Sequence, residues 1–191
     1  MGNAPVRQGT FSAVVQMANP IFILLAMGLP IAALIYSLNF GSLTTLNYIH
    51  IMTGALWTGI DLFMGFILGP VLGRLDPKAR ADIFRRLVPR MTFLMPVLAT
   101  VTITSGIYLT QRLSFSFTDP WVLAAGIIAG LLTVQGFGLL LPNEIRIFQQ
   151  LLSSAPDVQK IARLGMTNAR LGGLQGVFQL TIIFIMANIR F

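Results

Sequence analysis

The sequence predicts an all-α membrane protein, a polytopic bundle of five transmembrane helices. Three observations carry that prediction. Of the 191 residues, 55% are apolar and only 10% are charged, where soluble domains carry about 25% charged residues. The mean hydropathy is +0.79, so too few charges remain to cover a soluble surface, and the apolar excess rules out disorder. Five stretches each offer the run of about 20 mainly apolar residues that a helix needs to cross about 30 Å of hydrocarbon. The basic residues are also distributed very unevenly between the connections that join those stretches.

Taken in order, residues 1–17 read as a short polar arm on the membrane surface, and residues 18–191 as a single membrane domain. Arg7 precedes the first apolar run, but no small-residue cleavage site follows, and Val6 breaks the myristoylation pattern. The first span runs from about Pro20 to Leu38, with a kink expected at Pro30. The second runs from about Leu46 to Gly73 and holds His50 and Asp61; the third covers Met91 to Thr110. The fourth covers Trp121 to Leu141, opened by Asp119 as cap and Pro120 at the first helical position. The fifth covers Leu171 to Ile189. Each must be helical, because unpaired backbone groups in lipid cost several kcal/mol apiece. Asp157 to Leu164 reads as a short surface helix, with Val158, Ile161 and Leu164 at helical spacing.

Orientation follows from the cations. Arg7, the Arg74–Arg90 connection (with Lys78, Arg80, Arg85 and Arg86) and the connection with Arg146, Lys160, Arg163 and Arg170 fall on one side; only Arg112 and Arg190 fall on the other. The positive-inside rule then places the N-terminus in the cytoplasm and the C-terminus outside. This accounts for the net charge of +7 without nucleic acid. The Arg74–Arg90 stretch is expected to meet anionic lipid. The implied location is a bacterial or archaeal inner membrane. The pairs Gly65/Gly69, Gly126/Gly130 and Gly172/Gly176 place small residues four apart, for packing within the bundle or for a homodimer or larger membrane complex.

The chain contains no cysteine and one histidine, which excludes thiolate chemistry and any multi-histidine metal site within one chain. No phosphate loop, serine–histidine pair or zinc motif is present. Chemistry concentrates in the second span. At about 100° per residue, Trp57 lies about 20° to one side of His50 and Asp61 about 20° to the other, with Met64 on the same stripe. His50 and Asp61 share a face but stand about 16 Å apart along the axis, His50 near the outer surface and Asp61 near mid-membrane. A carboxylate at that depth costs about 2.5–3.5 kcal/mol on insertion scales, so it should face the interior, be protonated or meet a cation. The bland alternative ties Asp61 to Thr100, Thr102, Thr104 or Gln135. His50 could ligate metal or haem or relay protons, or hydrogen-bond Tyr48 or a loop carbonyl. Met52, Met64, Met91 and Met95 are soft enough for Cu(I) but also suit core filling. Gln135, Gln175, Gln179 and Asn188 are expected to hydrogen-bond between helices or to line a polar path.

The stretch His50-Ile-Met-Thr-Gly-Ala-Leu-Trp57-Thr-Gly59, the Pro70 exit and the basic run Arg85-Arg86-Leu-Val-Pro-Arg90 resemble the copper-resistance protein D (CopD-like) superfamily, which includes the HemJ-type protoporphyrinogen oxidases. A turn at Thr104-Ser105-Gly106 and the Asn168-Ala-Arg170 entry to the fifth span are similar as well. The resemblance covers residues 45–191 and leaves the first span as an addition. It implies a small inner-membrane bundle with a histidine near the start of a helix, linked to copper passage in one branch and to haem b in the other. His50 is the position carried over. Unlike the HemJ-type branch, this chain has no lysine within a span; Lys78 and Lys160 lie in connections.

The reading that follows is binding or transport, rather than catalysis, of a copper ion or similar cation. The cation meets His50 first and Asp61 deeper, with Met52 and Met64 as further candidate ligands and Trp57, Gln135, Gln175 and Gln179 along the polar stripe. A haem-b redox protein with His50 as axial ligand, a proton or ion channel, and a structural subunit of a larger complex are the alternatives.

Overall fold

The computed structural model describes residues 10–189, and within them six helices and no strand. A short helix α1 (Thr10–Ala18) leads into α2 (Pro20–Asn39). Four longer helices follow: α3 (Leu43–Gly73), α4 (Pro77–Arg112), α5 (Pro120–Leu151) and α6 (Val158–Ala187). The helices α2 to α6 are each long and apolar enough to cross a membrane, which makes this a five-span bundle. Of the expected surface arm, residues 1–9 lie outside the described residues, as do Arg7 and Arg190.

Side-chain caps fix the helix starts. The Asp119 Oδ1 accepts from the Trp121 and Val122 amides at 2.9 and 3.3 Å, with Pro120 in the first turn. Asp76 does the same for Lys78 and Ala79, Asp157 for Lys160 and Ser42 for Thr45. These oxygens satisfy amides that a helix start leaves unpaired. At the end that holds the Ser42 and Asp119 caps, the Arg112 guanidinium donates to the Leu38 and Gly41 carbonyls and so closes the α2–α3 turn.

Three features differ from the sequence expectation. First, the third and fifth spans begin well before the apolar runs do. Arg80, Arg85, Arg86 and Arg90 sit on α4, and Lys160, Arg163 and Arg170 sit on α6, not in loops. Hydropathy marks where a helix enters hydrocarbon, whereas the Asp76 and Asp157 caps mark where it starts. Second, Asp157 to Leu164 is accordingly the cap and opening turns of α6, not a separate surface helix, and Ile161 is buried there against Phe84 and Val88. Thr104-Ser105-Gly106 and Asn168-Ala-Arg170 are helical too, with no turn at either. Third, α5 continues past Leu141 to Leu151, so Arg146 is helical as well. Helix α2 continues through Pro30.

Two segments depart from α geometry. Phe63–Leu68 in α3 and Gly136–Leu140 in α5 are π-helical. Each is followed, one residue on, by a proline, Pro70 and Pro142. Proline offers no amide to the carbonyl four residues back and crowds it. A wider turn just ahead of it relieves that conflict without ending the helix.

The interior has two apolar clusters. One, at the basic end, joins Leu72, Phe84, Val88, Ile147, Phe148 and Ile161. The other joins Trp57, Leu98 and Leu132. The α3–α6 crossing is the closest in the bundle. A Cβ on Gly65 would collide with the Gly173 backbone, and one on Gly176 would lie 2.8 Å from Leu62. Gly65 and Gly176, one from each of two expected pairs, therefore serve packing within the bundle, whereas Gly126 and Gly130 face open space.

Candidate functional site

A cavity of about 290 Å³ is lined by α3, α4, α5 and α6 and is partly open, since Thr100, Thr133 and Phe137 of its lining are exposed. Phe84 and Val88 of the first cluster and Trp57 and Leu132 of the second line it, so it sits between the two apolar plugs. Helix α4 packs on α5 along Leu141–Leu151. Beyond that segment the two helices stand apart, and the cavity occupies the gap, with Ala99, Thr100 and Ile103 on one wall and Thr133 and Phe137 on the other. Both π-helical segments contribute to its wall, through Met64 and through Gly136, Phe137 and Leu140.

Its polar groups are few. Asp61 is 3% exposed and opens on the cavity, as its position on α3 predicts. Its partner is neither Gln135 nor any of Thr100, Thr102 and Thr104. The Gln179 Nε2 donates to the Asp61 Oδ2 at 3.1 Å, and the Trp57 indole also reaches the carboxylate. The Asp61 Oδ1 lies over Gly172, where a Cβ would stand 3.2 Å away. The Gln179 Oε1 is buried with no partner.

A second carboxylate, Glu144, lines the same cavity and escaped the sequence reading. The Thr92 hydroxyl donates to its Oε2 at 2.7 Å. The signal that would have found it is helical periodicity. Thr133, Phe137, Leu140 and Leu141 recur on one face of α5, and Glu144 continues that face one turn past the end of the apolar run at Leu141. Of the six acidic residues, Asp76, Asp119 and Asp157 cap helices and Asp82 is exposed. The remaining two are the ones on the cavity.

On α6, Asn168, Gly172, Gln175 and Gln179 recur at i, i+4, i+7 and i+11 and form one stripe. The first three line the cavity, and the fourth holds Asp61. The stripe also ties α6 to α5: Gln175 donates to the Leu132 carbonyl at 3.1 Å, and Asn168 donates to that of Leu140 at 3.1 Å. From α5, Gln135 donates back to the Leu171 carbonyl at 2.8 Å. The three glutamines thus bond between helices as expected, whereas Asn188 donates within its own helix, to Phe184.

His50 belongs to a separate place. It does not line the cavity; it packs in the α3–α4 seam. The Thr102 carbonyl lies 2.9 Å from its Nδ1 and the Ser105 hydroxyl 3.2 Å. A carbonyl only accepts, so Nδ1 carries the proton and Nε2 is the unprotonated nitrogen of the neutral ring. Its partners are thus on α4, not Tyr48, which is exposed. Gly106 makes room for the ring: a Cβ there would stand 2.9 Å from its Cε1. Beside it, Thr102 donates to Thr53 at 2.9 Å, and Thr53 to the Ile49 carbonyl.

The two groups that share a face of α3 therefore meet different neighbours, because α4 covers the stripe near His50 and α6 covers it near Asp61. Among the methionines, Met64, Met91 and Met95 line the cavity, whereas Met52 is 40% exposed and lines no part of it. Among the described residues no three His, Asp or Glu side chains converge. Comparison with known proteins finds no matching family model, no matching curated protein and no matching solved structure. The fold and site define the chain as a multi-pass membrane helix bundle with two carboxylates on one partly open cavity.

Proposed function

We propose that this chain binds a cation in the cavity between α3, α4, α5 and α6 and carries it into or across the membrane, with copper or a similar soft ion as cargo. The supporting observation is that Asp61 and Glu144 face one cavity and neither makes an ion pair among the described residues. A carboxylate held within hydrocarbon and lacking a cationic partner is stabilised by taking up a cation. The thioethers of Met64 on α3 and of Met91 and Met95 on α4, which line the same cavity, favour a soft ion such as Cu(I). Two carboxylates and thioethers bind more weakly than a closed cage of imidazoles and thiolates, and weak binding suits passage. His50 stands outside the cavity and serves as an approach site or a seam contact.

The test is metal content and uptake. Protein purified from copper-supplemented cells, and proteoliposomes loaded with Cu(I), should retain and pass copper. Asp61→Asn combined with Glu144→Gln should lose most of both. Equal copper in wild type and the double variant overturns the proposal.

A second reading, haem b on His50, draws on the fixed ring orientation, with Nδ1 held by a backbone carbonyl, an arrangement common behind metal-ligating histidines. Neither of these two cavities touches His50, so this reading draws no support from them. A purified sample without a Soret band removes this reading.

A further inference from the structure

A second cavity, also of about 290 Å³, lies at the basic end, where α3 gives way to α4 and the first half of α6 passes alongside. Its lining includes Arg80, Arg163 and Arg170, with Gln159 and Thr167 beside them, and no acidic side chain. Arg163 and Arg170 are seven residues apart on α6 and so share a face, about 10 Å apart along the axis, with Thr167 between them. Arg80 faces them from the first turn of α4.

These cations have no internal explanation. None of the three side chains makes a hydrogen bond or a close ion pair among the described residues; Arg163 and Arg170 are exposed, and the Arg80 Nε is buried without a partner. The nearest acid, Asp76, feels the charge of Arg80, but its carboxylate is engaged by the Lys78 and Ala79 amides. Three guanidinium groups around one concavity repel one another. A buried guanidinium N–H left unpaired costs more than an ordinary lost hydrogen bond. Both costs vanish if an anion with several acceptor oxygens occupies the space. Guanidinium forks match phosphate oxygens in geometry and charge.

We propose that this pocket is a phosphate-binding site, built by Arg80, Arg163 and Arg170 at the membrane boundary, for the phosphate of an anionic lipid headgroup or for free phosphate. It is more specific than a general attraction between the Arg74–Arg90 stretch and anionic lipid. Arg85 and Arg86 carry the same charge nearby but are not part of it.

Two arms test it on the full-length protein in zwitterionic detergent micelles. Native mass spectrometry counts retained phosphatidylglycerol against phosphatidylcholine, and calorimetry titrates inorganic phosphate. The pocket variant is Arg163→Gln with Arg170→Gln; the charge-matched control is Arg85→Gln with Arg86→Gln. At about 1 kcal/mol per cation near a phosphate, the pocket variant should lose roughly 30-fold in affinity and the control no more than about threefold. Arg163→Lys with Arg170→Lys keeps the charge and should retain most of the binding, which separates lost charge from lost folding. Preference for phosphatidylglycerol identifies the headgroup as the source. Phosphate binding without lipid preference identifies the free anion. Equal losses in the pocket variant and the control, or a wild-type protein that neither prefers phosphatidylglycerol nor binds phosphate, overturn the proposal.

Discussion

Replacing Gly173 with alanine should loosen the α3–α6 crossing and with it the hold on Asp61. A Cβ at Gly173 would lie 2.7 Å from the Gly65 Cα and 3.5 Å from its carbonyl carbon. Carbon atoms rest about 3.5–4.0 Å apart, so the helices must part by about 1 Å. Backbone faces backbone here, so no side-chain rotation can absorb the strain. Overpacking of this kind costs about 1–3 kcal/mol. Alanine recovers about 1 kcal/mol through helix propensity. If the shift reaches the next turn, the 3.1 Å bond from Gln179 to Asp61 lengthens past hydrogen-bonding distance, and such a bond is worth about 0.5–1.5 kcal/mol. The net expectation is a loss of about 2 kcal/mol, read as a lower midpoint in a denaturing-detergent titration followed by circular dichroism. Gly126→Ala is the control, because nothing lies within 4 Å of a Cβ there; it should be neutral or slightly stabilising. If Gly173→Ala is as stable as Gly126→Ala, the close crossing is not what sets the α3–α6 distance, and the placement of Asp61 needs another cause.

Two further outcomes are expected. Gly106→Ala should push the His50 ring off the Thr102 carbonyl, since the new Cβ would stand 2.9 Å from Cε1. Imidazole ¹⁵N chemical shifts should then report a mixture of tautomers in place of the Nδ1–H form, and unchanged shifts would contradict the seam geometry. Asp76→Ala should lower amide protection at Lys78 and Ala79. The Ala79 amide is the largest influence and holds the Asp76 carboxyl below the usual carboxylate range; desolvation, next in size, opposes it, and the Lys78 amide and the Arg80 charge add to the lowering. A depressed value means that the cap's contribution is present above the ordinary range and fades as pH falls through the folded value. Wild-type protection at this turn should drop in acid, while the variant stays unprotected throughout; identical protection in the two would remove the cap from the account.

The sequence revealed the number of spans and the interior placement of Asp61, because both follow from quantities that a chain carries locally: apolar length, and the cost of a charge in hydrocarbon. It revealed less about where helices begin. Asp76 and Asp157 start α4 and α6 outside the apolar runs, and a hydropathy reading stops at the first arginines. Glu144 was lost for the same reason, since Pro142 and the charges after it resemble a helix end. The partners of Asp61 and His50 were not legible at all. Helical spacing places both on one stripe of α3, but only the packing decides that α4 covers one end of the stripe and α6 the other. The arginine pocket was visible only as a charge count, because Arg80 and Arg163 are far apart in the chain and meet through the α4–α6 contact.

The two π-helical turns give the chain a property that hydropathy does not record. Each holds one residue more than an α-helix of the same length. Removing one residue from Phe63–Leu68 or from Gly136–Leu140 would let the wide turn tighten to an α turn and leave the two halves of the helix close to their present phase, because the turn sheds the residue it holds in excess. The same deletion in α-helical backbone would swing everything beyond it by about 100°. Each wide turn is thus a slack link: it can lose a residue while Asp61 keeps its direction relative to the Gly69 side of α3, and Thr133 its direction relative to Glu144 in α5. Substitutions around the chamber change what lines it, whereas a deletion in the α-helical backbone between its lining residues decides whether its acidic groups face inward together.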